Sequence, residues 1–350
     1  MIESKLFFTL GVIKHFINNS LYLSYDKKTI TGYELLNPLL EASSHNTYIE
    51  TLSNKADTLY ARVKETSQSI MASAYLNFIS RVAKKINLQD KEVILAFDYT
   101  EEDFYGDVQS FDIHGAPASE KPTGYFKFIT CSIISDEIPE KIPLISLPIR
   151  IGHYKSSVIT DCLSRIKNIV GDIKLILFDR GFYDKDLMHE LTIREYPYLI
   201  FVPKQKDKRE ILYPMEAGEE IAIYNEFKIN KNFSQYEQEN ILVFLKEIYH
   251  NKSGKKYDWV FATNVEWVLL EKIVSLYKKR WRIETGFRVQ DEARIKCKSK
   301  EMNIRYFIFL FEQLLQTSWI CFYKDEFCFK EYLIKLADLS NDWTKNQRSR

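Results

Sequence analysis

Tyr277, Arg280, Glu284 and Arg288 recur at i, i+3, i+7 and i+11 in the stretch that begins Tyr-Lys-Lys-Arg-Trp-Arg-Ile-Glu. On a helix of about 3.6 residues per turn they form one stripe, and that stripe is polar rather than apolar. An acid flanked by arginines suits a metal ligand working beside a phosphodiester, the cations holding phosphate oxygens while the acid holds the metal. The same residues also read as a solvated amphipathic helix with an i, i+4 Glu–Arg pair. The remainder of the chain has to decide between the two.

Two upstream aspartates supply the context. Val93-Ile-Leu-Ala-Phe97 delivers Asp98, and Lys174-Leu-Ile-Leu-Phe178 delivers Asp179, with Arg180 and Gly181 behind it. Such runs read as buried strands, and a carboxylate at a strand end is held rigidly. Asp in that place is also an ordinary turn former or helix cap. Three carboxylates with no accompanying Cys or His favour Mg²⁺ or Mn²⁺ over zinc. Glu101, Glu102, Asp103 and Asp107 follow closely enough to compete with Asp98, whereas Asp184 and Asp186 read as the start of the next helix.

The elements that must position these groups follow from periodicity. Residues 1–90 read as helical, with apolar residues at helical spacing over Leu35–Ala42, Tyr48–Thr66 and Ser69–Ile86. This region is either a small helical unit that reads DNA or a structural cap, and no helix-turn-helix pattern is plain in it. Strands are expected over Val93–Phe97, Tyr125–Ile134, Leu144–Ile151, Lys174–Phe178 and Tyr198–Val202, with helices over Ser156–Ile169 and Lys185–Arg194. That order implies a mixed sheet with an antiparallel side and a parallel extension. If the first and fourth strands are neighbours, the two aspartates leave adjacent carboxyl ends. Glu220–Ile229, Ile241–Tyr249 and Tyr257–Thr263 then read as strands, Glu266 to about Glu292 as one helix, Asn303–Tyr323 as a packing helix, and the end of the chain as frayed.

Phe97-Asp-Tyr-Thr-Glu-Glu-Asp-Phe-Tyr-Gly106, Phe178-Asp-Arg-Gly-Phe-Tyr-Asp184, and Phe261-Ala-Thr-Asn264 followed by Tyr277-x-x-Arg280-x-x-x-Glu284 resemble the insertion-sequence DDE transposases of the cut-and-paste type. The resemblance runs roughly from Lys91 to Ser318 and is to the group with a β-rich insertion between the second Asp and the Glu. It implies an α/β fold: a ribonuclease H-like mixed sheet flanked by helices, with that insertion and an N-terminal helical region. The expected organisation is 1–90 helical, 91–203 and 264–325 catalytic, 204–263 insertion and 326–350 tail.

By the same resemblance Asp98, Asp179 and Glu284 are the catalytic residues and bind two Mg²⁺ or Mn²⁺ ions. DNA, as element ends and as target, is the partner of a homodimer, and no nucleotide cofactor is needed. Water or a 3′-hydroxyl serves as nucleophile in cleavage and strand transfer. Arg280 reads as a phosphate clamp, and Tyr277 either as a hydrogen-bond donor to a strand near the scissile bond or as packing. The family places a Lys seven residues after the Glu; here Asp291 stands there, with Arg288 and Arg294 as substitutes for its phosphate contact. Trp259 and Trp267 occupy the region where hairpin-forming relatives stack a flipped base, and they read equally as core. A domesticated DNA-binding protein and a structure-specific nuclease are the alternative functions.

Bulk properties fit an ordinary globular protein: 350 residues, 45% hydrophobic, 28% charged, net +1, which excludes a histone-like binder. Charge is nevertheless uneven. Lys272–Lys300 carries ten Lys/Arg against three acids, an excess of seven, which reads as a polyanion footprint or a solvated face. Five cysteines without a CxxC pair indicate neither a disulfide framework nor a zinc ribbon. Residues 6–13 are too short to span a bilayer, and Glu312, Gln313 and Gln316 interrupt the apolar run Tyr306–Tyr323. No membrane association is expected, and the cytoplasm, at a prokaryotic nucleoid, is the expected location.

Overall fold

The computed structural model describes residues 2–23, 31–135, 138, 141–203, 221–228, 239–249, 256–265 and 270–348. Helices α1 (Ile2–Leu21), α2 (Gly32–His45), α3 (Ala56–Glu65) and α4 (Gln68–Lys85) lead into the sheet. Local chemistry sets their ends. Thr31 and Glu34 form a reciprocal capping box at α2, and Ser67 caps α4 through the Ile70 amide. The single helix expected over Tyr48–Thr66 is split into a 3-10 turn, Ile49–Thr51, and α3. Ser53 breaks it by turning its hydroxyl onto the Lys55 amide at 3.1 Å.

The sheet strands are β1 (Val93–Phe104), β2 (His114–Gly115), β3 (Gly124–Ile133), β4 (Ile142–Ile149), β5 (Ile173–Phe178), β6 (Tyr198–Phe201), β7 (Ile221–Lys228), β8 (Glu239–Tyr249) and β9 (Lys256–Thr263). Among the described residues they form one mixed sheet, ordered β3-β1-β5-β6-β9-β8-β7, with β2 and β4 also on β3. β1 runs parallel to β5 and β5 to β6, while β1–β3 and β6–β9 are antiparallel. The region between the second Asp and the Glu therefore extends the sheet, and three side-chain bonds fasten it. Thr263 Oγ1 donates to the Tyr198 carbonyl at 2.6 Å, and Asn264 bridges the Tyr196 carbonyl and the Tyr198 amide at 2.9 and 3.0 Å.

Helices α5 (Lys155–Ile166) and α6 (Lys185–Ile193) connect the parallel strands; α7 (Leu270–Lys278), α8 (Arg282–Gln290), α9 (Met302–Phe322) and α10 (Phe329–Arg348) follow the last strand. Strand alternation sorts the sheet's two faces. Leu95, Phe97, Ile176, Phe178 and Ile200 join the large core, whereas Ala96, Leu175, Leu177 and Leu199 meet Ile273 and Tyr277 of α7. α9 reaches β3 through Phe309, stacked on Phe128 at 4.3 Å. The polar residues that interrupt this apolar helix have partners: Glu312 accepts from the Ile295 amide, Gln313 from Ser146, and Gln316 donates to the Gly286 carbonyl.

Three expectations are corrected. β1 does not stop at Phe97: antiparallel pairing with β3 carries it to Phe104, so Asp98 is a mid-strand residue. Its acidic stretch is stabilised there by pairing, Glu101 with the directly opposed Lys127 at 2.6 Å and Glu102 with Arg305 at 3.6 Å. The helix after the insertion is two helices joined by a 3-10 turn at Lys279–Trp281, so Tyr277 and Glu284 lie on different helices. The C-terminal segment is not frayed either, because Tyr332, Leu333 and Leu336 are fully buried and α10 packs on α2. Among the described residues no helix is long and apolar enough to cross a membrane, and all five cysteines are free thiols.

Candidate active site

Register brings the two aspartates together. Phe97 is paired with Phe178 across the parallel β1–β5 ladder, and each aspartate is the next residue along its strand. Where β5 ends, β1 continues, leaving both carboxylates one residue past the last rung of the ladder. By alternation they lie on the face covered by α7, below which Phe97 and Phe178 stack at 5.2 Å on the opposite face. Tyr99 and Phe182 repeat the stack one step further at 4.3 Å. These paired rings fix both strand ends from beneath.

Above the aspartates stand Tyr277 and Arg280, 1% and 3% exposed. Arg280 Nη1 lies 3.2 Å from Asp98 Oδ2 and Nη2 lies 4.0 Å from Asp179 Oδ1. The Tyr277 hydroxyl donates to Asp179 Oδ1 at 3.2 Å. Backbone amides complete the support, Tyr99 N to Asp98 Oδ1 at 2.9 Å and Arg180 N to Asp179 Oδ1 at 2.7 Å. Burial pushes the Tyr277 phenol up, Arg280 opposing and Asp179 adding to the shift. Burial works to lower the Arg280 pKa, but Tyr277, Asp98 and Asp179 together raise it, so the guanidinium is held charged.

Laterally, Asp98 is in register with Thr130 and Thr130 with Ser146, a polar row that ends on α9. Thr130 and Ser146 share a hydroxyl bond of 2.8 Å, and Ser146 donates to Gln313 at 2.9 Å. The aspartates thus sit between α7 on one side and α9 on the other. Helix α8, carrying Glu284, packs on β1 and is tied to α9 by Gln316. The Glu284 side chain lies outside the described residues, as does Trp267.

Of the other residues expected at the site, Arg288 and Arg294 are exposed. Asp291 opens a 3-10 turn after α8, its carboxyl pKa raised by burial and by Asp103 against the pull of Arg294. Trp259 is core, 5% exposed and within 6.0 Å of the Phe201, Phe261 and Tyr277 rings. Asp184 caps α6 through the Leu187 amide. One neighbour of the site carries no pattern in the sequence: Lys155, whose ammonium reaches the Gly181 carbonyl at 2.8 Å, two residues beyond Asp179. Only the fold brings the start of α5 to that turn.

Residues 154–311 match the family model described as "Transposase DDE domain". That match covers 158 of the 350 residues, a little under half of the chain. Among solved structures it is similar to a piggyBac transposase synaptic complex with hairpin DNA, determined by cryo-EM, at 14% identity and a TM-score of 0.58 over all of this chain and 81% of that one. That likeness concerns the fold, a ribonuclease H-like mixed sheet between helices. No curated protein matches the chain. The DDE family uses divalent metal ions, and the chemistry of the two carboxylates fits such ions: both offer oxygen only, both are oriented by amide donors and face a cation, and among the described residues no thiolate or imidazole is paired with them.

Proposed function

We propose that this chain is a DNA transposase whose DDE domain cleaves phosphodiesters at the ends of its element and transfers the freed strands to target DNA. The observation that carries the assignment to specific residues is the Asp98–Asp179 pair, each aspartate one residue past the last rung (Phe97–Phe178) of the β1–β5 ladder, bridged by the buried Arg280 guanidinium. Asp98, Asp179 and Glu284 would hold the metal, with Glu284 delivered by α8. Two Mg²⁺ or Mn²⁺ ions, when bound, supply Lewis-acid stabilisation of the attacking and leaving oxygens.

The protein's own part is to orient and to exclude. Arg280 and the Tyr99 amide fix the two oxygens of Asp98, and the Arg180 amide with the Tyr277 hydroxyl fixes one oxygen of Asp179. Tyr277 and Arg280 are too deeply buried to grip a phosphate in solvent, which supports a role in positioning carboxylates. Phosphate contact falls instead to exposed cations, Arg288 and Arg294 among them, the latter close to where the family has its Lys. We assign residues 1–90 a supporting role, since α3 and α4 pack on α9. Joining two element ends requires two active sites, hence a homodimer on DNA, working in a prokaryotic nucleoid.

Cleavage and strand transfer on a plasmid carrying the terminal sequences that flank the gene, in Mg²⁺ or Mn²⁺, test this reading. Loss of both reactions in Asp98→Asn, Asp179→Asn and Glu284→Gln, with end binding retained, is the expected result. Specific binding by the wild type without any cutting would instead identify a domesticated binding protein, a reading that Asp291 at the family's Lys position favours. Cutting of branched DNA without joining would identify a nuclease.

A further inference from the structure

Past α8 the chain runs extended through Arg294-Ile-Lys-Cys-Lys-Ser-Lys300, and exposure alternates along it. Arg294, Lys296, Lys298 and Lys300 are exposed, while Ile295 is buried and Cys297 and Ser299 are half-buried. A period of two puts all four cations on one side of the segment. Among the described residues Lys296, Lys298 and Lys300 make no ion pair; Lys298 and Lys296 lie over the Tyr48 ring, at 4.8 and 5.9 Å. With Arg305 and the exposed Tyr105 they line a cleft of about 640 Å³. Five cations face two acids there, and one of those acids, Glu102, is already paired with Arg305.

The segment is held in place from behind. Lys296 N donates to the Thr47 carbonyl at 3.0 Å, and Ile295 N donates to Glu312 at 2.6 Å. The Asn46 amide group, on a residue in the left-handed region at φ 49°, reaches the carbonyls of Asp291, Glu292 and Arg294 at 3.4, 3.1 and 3.2 Å. Ser43 adds a bond to the Ala293 carbonyl at 2.8 Å. An extended strand of lysines would ordinarily be floppy, and this one is bolted to α2 and α9.

Its placement relative to the aspartates gives it a use. Glu102 lies four residues along β1 from Asp98 and therefore on the same face, roughly 13 Å away, and Phe104 closes the cleft at roughly 20 Å. From Arg294 to Lys300 is another six residue steps, roughly 20 Å, the axial length over which one strand of a duplex presents about six phosphates.

Resting on the transposase reading, we propose that Arg294–Lys300 is a rigid track for the phosphate backbone of one strand of duplex DNA, engaging it about four to six base pairs from the scissile phosphate. Its contacts are to phosphates rather than base edges, so it sets register and not sequence.

The probe is a mixed-sequence 30-base-pair duplex, with the corresponding single strand beside it, binding being followed by anisotropy across a NaCl series. Replacing Lys296, Lys298 and Lys300 by Ala should lower the slope of log K against log[NaCl] by about 2.7, at ~0.9 per phosphate contact, with the melting temperature retained. Lys→Arg at the same three positions should restore the slope. A wild-type slope in the triple Ala variant overturns the track, as does a loss confined to the single-stranded probe. Failure of the wild type to bind either DNA would overturn the transposase reading itself, whereas Asp179-dependent cutting with an unchanged slope overturns the track alone.

Discussion

Replacing Arg280 by Met removes the charge that faces both aspartates while keeping an unbranched apolar stem against the Tyr277 ring, whose centroid lies 5.6 Å from the guanidinium carbon. Two carboxylates just past the last rung of the ladder then face each other without the guanidinium between them. Taking one partner from a fully buried pair costs about 3–5 kcal/mol. Asp98 is 15% exposed, but Asp179 is 35% exposed and screened by water, so about 2–3 kcal/mol is the better figure. At roughly 2 °C per kcal/mol for a chain of this length, the metal-free variant should melt about 4–6 °C lower. Asp98→Asn in the Arg280→Met background should recover about half of that by removing the repulsion. Mg²⁺ at about ten times its Kd should add about 1.4 kcal/mol to any form that retains the carboxylates, and more to Arg280→Met because the ion replaces the missing charge. Differential scanning fluorimetry with EDTA and with Mg²⁺ reads all three forms. A metal-free variant as stable as the wild type, or one that Asp98→Asn destabilises further, would refute the counter-ion argument.

Tyr277→Phe keeps the ring among Trp259, Phe201 and Phe261 and loses the hydroxyl's bonds to Asp179 and Arg280, so stability should fall by about 1–3 kcal/mol while cleavage falls about tenfold; Tyr277→Ala should cost about 3–5 kcal/mol in urea unfolding. Burial lifts the Glu312 carboxyl well above its ordinary 4.5, so the folded chain binds a proton that the unfolded chain releases, and stability should decline as pH rises above about 4.5. Glu312→Gln, which can still accept from Ile295, should remove part of that decline: unfolding titrations should show it more stable than wild type at pH 8 and nearly equal at pH 4.5. Asn46→Ala loses the bonds to the 291–294 carbonyls and must hold φ 49° without Asn's tolerance of that region, costing about 3 kcal/mol, whereas Asn46→Gly should cost about 1 kcal/mol less, as chemical denaturation can show.

How much of this was legible in the sequence depends on whether the deciding partner is near in the chain. The apolar runs Val93–Phe97 and Lys174–Phe178 announce strands, and the aspartate after each announces a position on the rung, because period-two alternation is local. The continuation of β1 through Thr100-Glu-Glu-Asp103 is not announced, since those residues are stable in a strand only because Lys127 and Arg305 stand opposite them. The end of the chain misled for the same reason: α10 has a charged outer face, and its buried side finds cover on α2, about 300 residues earlier.

Arg280 shows the limit most clearly. On an ideal helix its spacing from Tyr277 and Glu284 makes all three neighbours on an outward stripe, and an outward arginine is naturally taken for a phosphate clamp. The 3-10 turn at Lys279–Trp281 changes that geometry, and the guanidinium lies buried against Asp98. No sequence rule based on helical periodicity can foresee this, because a buried guanidinium is tolerable only where carboxylates await it. The motif therefore names residues that the fold brings together, but through a contact that helical spacing does not show. The burial that brings Arg280 to the aspartates also removes it from solvent, and on the proposed reading that leaves the exposed cations after α8 to meet the phosphates.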